Sequence, residues 1–170
     1  GMYRFTTPRP PLTALILATL ALLISCPPTL AWVDPTTGTA HASRVTRPAN
    51  IPEKNWQPGH RGVDLAARPG DPVLAAGGGT VHYVGTIAGT PVVSIAHADG
   101  IRTTYQPVRT ELRKGDPVGE GDIIGALAYS PANAPNRHDG LHWGAIVGKE
   151  RYIDPLSLLS APLIRLKPVP

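Results

Sequence analysis

His60 and Asp64 stand four residues apart in Gly59-His60-Arg61-Gly62-Val63-Asp64-Leu65. In extended chain, residues an even number apart face the same side, so a strand here presents an imidazole and a carboxylate together. A second histidine, His142, lies in Leu141-His142-Trp143-Gly144-Ala145-Ile146-Val147, where it shares a face with Gly144 and Ile146 while Leu141, Trp143 and Val147 take the other. Two imidazoles and one carboxylate are donors for a divalent metal. Three protein ligands leave a fourth tetrahedral position for water, as in catalytic rather than structural zinc sites. Water held there is acidified toward neutrality and can attack a polarised carbonyl. The same donors also describe a non-haem iron triad. Without any metal they describe a loop ion pair beside an unrelated strand histidine. Cys26 is the only cysteine, so cysteine supplies neither a thiolate ligand nor a disulfide to the region carrying these residues.

The elements that must position them are short. Glycine and proline punctuate runs rich in Val, Ile and Thr at Pro72 to Ala76, Gly79 to Thr86, Pro91 to Ala96, Arg102 to Pro107, Ile123 to Ala128 and Leu141 to Val147. Strands at this spacing, with turn residues between them, predict an all-β fold: a two-layer antiparallel β-sandwich or barrel-sandwich hybrid. An internal echo, Arg68-Pro69-Gly70-Asp71-Pro72-Val73 and Arg113-Lys114-Gly115-Asp116-Pro117-Val118, implies a duplicated hairpin unit, although Gly-Asp-Pro is also ordinary turn chemistry. One short helical turn is predicted at the carboxyl end, where Asp154 supplies an N-cap and Pro155 the first helical position before Leu156-Ser157-Leu158-Leu159.

The flanks read differently. Arg4 and Arg9 precede an apolar run, Leu12 to Ile24, too short to span a bilayer comfortably. Residues 1–31 are therefore expected to be a secretory signal. Cleavage after Ala31 competes with a lipobox reading, in which Cys26 is acylated and the membrane is reached only through that lipid. Residues 32–58, rich in Pro, Thr and Ala, are expected to form an extended lead-in that packs Trp32 and Trp56 on the domain edge. The compact domain is expected over 59–160, with 161–170 as a tail. The formal charge is +4, and removing Arg4 and Arg9 halves it. A mildly basic exported domain suits an anionic cell wall, and the clustered basic stripe that nucleic-acid binding wants is missing.

From Gly59 to Leu159 the chain resembles the lysostaphin-type peptidoglycan zinc peptidases, the duplicated-hybrid-motif family. The resemblance rests on Gly59-His60-Arg61-Gly62-Val63-Asp64-Leu65; on Val92-Val93-Ser94-Ile95-Ala96-His97-Ala98-Asp99-Gly100 with Thr103-Thr104-Tyr105; on the second Gly-Asp-x-Val unit ending Ile124-Gly125; and on Leu141-His142-Trp143-Gly144 and Tyr152-Ile153-Asp154-Pro155. It implies His60, Asp64 and His142 as zinc ligands, with peptidoglycan as the partner. The family's first histidine of His-x-His is replaced by Gly140, and the histidine of Tyr-x-His-Leu by Pro107. Two acid/base or transition-state groups are thus missing, and each is typically worth about a hundred- to ten-thousandfold in rate. A side chain at 140, two residues before His142, is expected on the metal side of the strand, so its loss leaves a hole there. His138, in the loop before it, is the candidate replacement. Tyr105 and His97 are candidates for the substrate groove. The readings that follow are a zinc metallopeptidase acting on wall peptides, or a catalytically degenerate wall-binding module or activator of another wall hydrolase.

Overall fold

The computed structural model describes residues 32–134 and 137–159. The expected signal segment and the tail after residue 160 lie outside the described residues. Among the described residues eleven strands form: β1 (Val45–Arg47), β2 (Val63–Leu65), β3 (Pro72–Leu74), β4 (Gly79–Ile87), β5 (Thr90–Ala96), β6 (Ile101–Gln106), β7 (Val108–Arg109), β8 (Pro117–Val118), β9 (Ile123–Leu127), β10 (Leu141–Val147) and β11 (Arg151–Ile153). All pairings are antiparallel. The larger sheet runs β1-β2-β10-β6-β5-β4-β8 with β11 against β10, and the smaller runs β3-β9-β7. The fold is all-β, as the punctuation of the sequence predicts. Among the described residues the one helical element is the 3-10 turn Pro155–Leu158, capped by Asp154 Oδ1, which accepts from the Leu156 N–H at 2.9 Å.

Both copies of the echo fold alike. The Arg68 N–H donates to Asp71 Oδ2 and the Arg113 N–H to Asp116 Oδ2, each at 2.8 Å, and Gly70 and Gly115 take φ of +94° and +97°. Such dihedrals favour glycine, so the shared Gly-Asp pair builds one turn twice. One copy leads into β3 and the other into β8, which lie in different sheets.

The core lies between the sheets. Val63, Leu65, Ile95, Leu141 and Trp143 from the large sheet meet Val73, Val108, Ile124 and Leu127 from the small one, all buried. Strand alternation then sends the neighbours of these core residues to the outer face. Asp64 and His142 are directly opposite across β2 and β10, and His142 is opposite Gln106 across β10 and β6. Three adjacent strands thus carry one transverse row, Asp64–His142–Gln106, with about 4.8 Å between strands.

The lead-in contributes more than an extended approach. Asp34 is fully buried and organises a turn, accepting from the N–H groups of Thr36 and Ser43 at 2.7 Å each. The lead-in supplies β1, and the Trp32 ring packs edge-on against His97 with centroids 4.7 Å apart. Trp56 is 80% exposed, which corrects the expectation that it packs. It sits in the Pro52–Gly59 connection, where no strand draws it inward.

Behind the outer face runs a buried polar chain. His97 Nδ1 donates to the Gly78 carbonyl (2.8 Å), its Nε2 shares a hydrogen bond with the Thr103 hydroxyl (2.8 Å), Thr103 shares one with the Tyr105 hydroxyl (2.9 Å), and the Ala76 N–H donates to that same phenol oxygen (2.9 Å). Burial pushes the Tyr105 phenol up to about 12 against the pull of its hydrogen bonds. Burial also holds His97 below its ordinary value, opposed by the Gly78 hydrogen bond.

Tyr105→Phe leaves the Ala76 N–H without its partner and should cost about 1–3 kcal/mol, read from urea unfolding. For His97 the folded protein takes up its proton less readily than the unfolded chain, whose histidine titrates near about 6.5. Its stability contribution is therefore complete above that pH and declines as pH falls below it. A His97→Gln variant should show a flatter loss of unfolding free energy between about pH 7 and pH 5 than the parent.

Candidate metal centre

β2 and β10 bring Asp64 and His142 together, and the residues before each strand bring the rest. His60 sits on an isolated bridge, its N–H and carbonyl exchanged with those of Asn50 at 2.8 Å each. That bridge fixes the backbone, and the His60 ring is then oriented by Nδ1 donating to the Pro48 carbonyl at 2.8 Å. In the neutral ring the other nitrogen, Nε2, must therefore carry a lone pair. It faces Asp64 Oδ1 at 3.0 Å and His142 Nδ1 at 3.1 Å.

His138 joins them. Its Nδ1 is 2.9 Å from Asp64 Oδ1, as is His142 Nδ1, and its ring stacks on that of His142 with centroids 4.1 Å apart. The Gln106 side-chain amide donates to His138 Nε2 at 2.9 Å. With that nitrogen accepting, the neutral ring keeps its proton on Nδ1 and donates it to Asp64. The four candidate ligand atoms all lie within 4.8 Å of one another.

Three rings thus converge on one carboxylate oxygen, while Asp64 Oδ2 is buried without a partner among the described residues. Asp64 is fully buried. Burial alone would raise its pKa, but hydrogen bonds from His138 and His142, with their charges, hold it well below the usual carboxylate range. Burial depresses His142, with the Asp64 hydrogen bond opposing. An ionised, fully buried carboxylate on which the ring nitrogens of His60 and His142 converge calls for a cation at their centre. The donor set of His60 Nε2, His142 Nδ1 and Asp64 suits a divalent metal of the zinc type.

Gly140 behaves differently from expectation. It lies just outside β10 at φ +103°, and a Cβ there would come within 2.1 Å of the Leu65 carbonyl oxygen. A side chain at 140 would meet backbone and would not face the metal side, so the expected hole does not exist. The left-handed turn at Gly140 instead carries the preceding chain back so that His138 enters the cluster.

Tyr105 and His97 also depart from expectation. Both are buried in the polar chain behind the sheet, at 0% and 7% exposure, Tyr105 because odd positions of β6 face the core and His97, just after β5, because its ring is held by the Gly78 carbonyl and the Thr103 hydroxyl. The groove beside the cluster, about 430 Å³, is floored by the even positions Arg102, Thr104 and Gln106 of β6 and by His142, Gly144 and Ile146 of β10. Glycine at 62 is required here, since a Cβ would sit 2.4 Å from the Trp143 carbonyl oxygen and 2.7 Å from the His142 ring. Arg61 and Gln106 were not among the residues singled out as site candidates. Alternation from His142 across the register would have found Gln106, but Arg61 lies in a bend that no periodicity marks.

Residues 58–155 match the profile of Peptidase family M23. An uncharacterized protein of Mycobacterium tuberculosis (strain H37Rv) is 51% identical over 130 residues, covering 74% of this chain and 51% of the relative. The uncharacterized lipoprotein YgeR of Escherichia coli is 31% identical over 131 residues, covering 75% of this chain and 47% of YgeR. The chain thus spans about half the length of the curated relatives it matches. Among solved structures, a zinc-containing peptidase from Vibrio cholerae superposes with a TM-score of 0.58 at 27% identity, covering 78% of this chain and 40% of that one.

Gly140→His would restore the sequence pattern His-x-His, yet it places a Cβ at positive φ against the Leu65 backbone. It should destabilise the protein by more than the roughly 1–2 kcal/mol of left-handed backbone strain alone, seen as a lowered thermal midpoint. An unchanged midpoint would contradict the turn described here.

Proposed function

The chain belongs to peptidase family M23, and on that basis we propose that it is an envelope-located zinc metallopeptidase acting on peptide bonds of cell-wall peptidoglycan. The observation that carries this reading is the inward convergence of His60 Nε2, His142 Nδ1 and Asp64, a three-donor set with a position left for substrate or water. The lipoprotein nature of YgeR and the zinc of the Vibrio cholerae peptidase support the envelope and zinc parts of the reading.

Zinc bound by these donors supplies Lewis-acid polarisation of the scissile carbonyl and activation of water. The protein's own residues do the rest. The Pro48 carbonyl fixes the His60 ring, much as outer hydrogen bonds orient metal-binding histidines elsewhere. Gly144, facing the groove beside His142, leaves room for a peptide backbone to lie against the floor. His138 holds a proton on Nδ1 beside the carboxylate, and with Gln106 it occupies the neighbourhood where Gly140 and Pro107 supply no imidazole. We assign to His138 the proton-handling role.

One observation favours the alternative, a wall-binding module or activator without turnover: His138 brings a fourth candidate ligand atom within 4.8 Å of those of His60, Asp64 and His142. If the Gln106 amide turned to present its oxygen, His138 would carry its proton on Nε2 and offer a lone pair from Nδ1, making four protein donors. Four protein ligands close a zinc site to substrate.

The test is zinc content and peptide release measured on one sample of the full chain with purified peptidoglycan. One zinc per chain is expected, with release abolished and zinc lost in His142→Ala and His60→Ala. His138→Ala should keep its zinc and lose about a hundredfold or more in rate. Zinc bound without any release would favour the module, as would zinc affinity that collapses in His138→Ala.

A further inference from the structure

The groove continues from the metal cluster along the outer faces of β6 and β10. Beyond Gln106, Thr104 and then Arg102 follow on the same face, so Arg102 is four residues from Gln106, about 13 Å at strand rise. Two arginines line this groove and, among the described residues, no carboxylate does. The two cations are not equivalent. Arg61 is already committed, donating to the carbonyls of Asn55 and Gln57 and lying over the Tyr152 ring. The side chain of Arg102, half-buried, has no hydrogen bond or ion pair among the described residues.

A second, independent feature lies on the neighbouring strand of the same groove. Ser94 on β5 pairs in register with Thr104 and lines the same groove. It is 4% exposed, and its Oγ is buried with no hydrogen-bond partner among the described residues. A buried hydroxyl left unsatisfied costs free energy that a ligand can recover. A guanidinium fork with a neighbouring hydroxyl donor matches the two oxygens of a carboxylate.

We propose that Arg102 and Ser94 form an anion subsite that seats a carboxylate of the bound peptide, about four residues along an extended chain from the bond held at the metal cluster. The placement relative to that bond rests on the peptidase reading; the subsite itself does not. It makes the chain selective for acidic peptides, a property that neither the metal donors nor the glycines of the floor would confer.

The experiment uses the full chain freed of metal, so that binding is read without cleavage. Two octapeptides are titrated calorimetrically, blocked at both termini and alike except that one carries glutamate and the other glutamine at each end. The glutamate peptide should bind about tenfold or more tightly than its twin, the strength of a charge-assisted hydrogen bond. Arg102→Gln should remove that difference while leaving glutamine-peptide affinity in place. Ser94→Ala should reduce the difference severalfold without loss of thermal stability, since it deletes a hydroxyl that has no partner. Equal affinities in the parent chain, or a preference that survives Arg102→Gln, would overturn the proposal. Inorganic phosphate bound more tightly than the glutamate peptide, and lost in Arg102→Gln, would also overturn it and assign the site to a phosphate-bearing polymer. Cleavage of the same peptides after zinc is added reads the peptidase assignment separately: a glutamate preference without cleavage keeps the subsite and removes the peptidase reading, and cleavage without the preference does the reverse.

Discussion

The structure is organised around one buried, ionised carboxylate oxygen on which three imidazole rings converge. Asp64 Oδ1 lies 2.9–3.0 Å from ring nitrogens of His60, His138 and His142 in a fully buried position. Such a group is costly in low dielectric unless a cation compensates it. Much of the architecture serves that requirement. The β2–β10–β6 register sets Asp64, His142 and Gln106 in one row, the Pro48 carbonyl aims His60, and the turn at Gly140 delivers His138. Because the row is built from central strands whose opposite faces form the core, the site is as rigid as the sheet that carries it, as a preorganised metal centre requires.

The same sheet divides labour between its two faces. On β6, Tyr105 and Thr103 point inward to a closed polar chain with His97, while Arg102, Thr104 and Gln106 point outward to the groove. A shift of one residue in register would exchange these sets, putting a buried phenol in the groove and a guanidinium in the core. The close approach of Gly62 to the His142 ring and to the Trp143 carbonyl has a similar consequence. The strand crossing that makes the metal cluster leaves no room for a side chain at its centre.

Much of this was legible in the sequence, and the reasons differ by residue. Asp64 and His142 could be placed on a shared outer face because a strand's side-chain period is two, and turn residues marked the ends of β4, β5, β9 and β10; His60, expected on one strand with Asp64, instead lies outside β2 on a bridge to Asn50 and reaches the cluster across a bend. Alternation also put Trp143 in the core. What the sequence withheld depended on backbone dihedrals and on long-range pairing. Gly140 read as a truncated catalytic position, whereas its positive φ makes it the hinge that brings His138 in. Tyr105 read as a groove residue because a phenol can meet a polar substrate, and His97 as a structural or rim residue through the family resemblance, but a hydrogen-bond chain to the Ala76 and Gly78 backbone holds both inside. β1 escaped notice because three residues of a Pro-Thr-rich lead-in carry no periodicity, and only the exposed edge of β2 gives them a partner.

The central claim is that His60, Asp64 and His142 hold a metal while His138 stands beside it as a proton carrier. X-ray absorption at the zinc edge of the loaded full chain tests it most directly. The account predicts one zinc with nitrogen and oxygen donors at about 2.0–2.1 Å and the multiple-scattering signature of two imidazoles, unchanged in His138→Ala. A third imidazole that vanishes in His138→Ala, or failure to retain one zinc per chain, would contradict it.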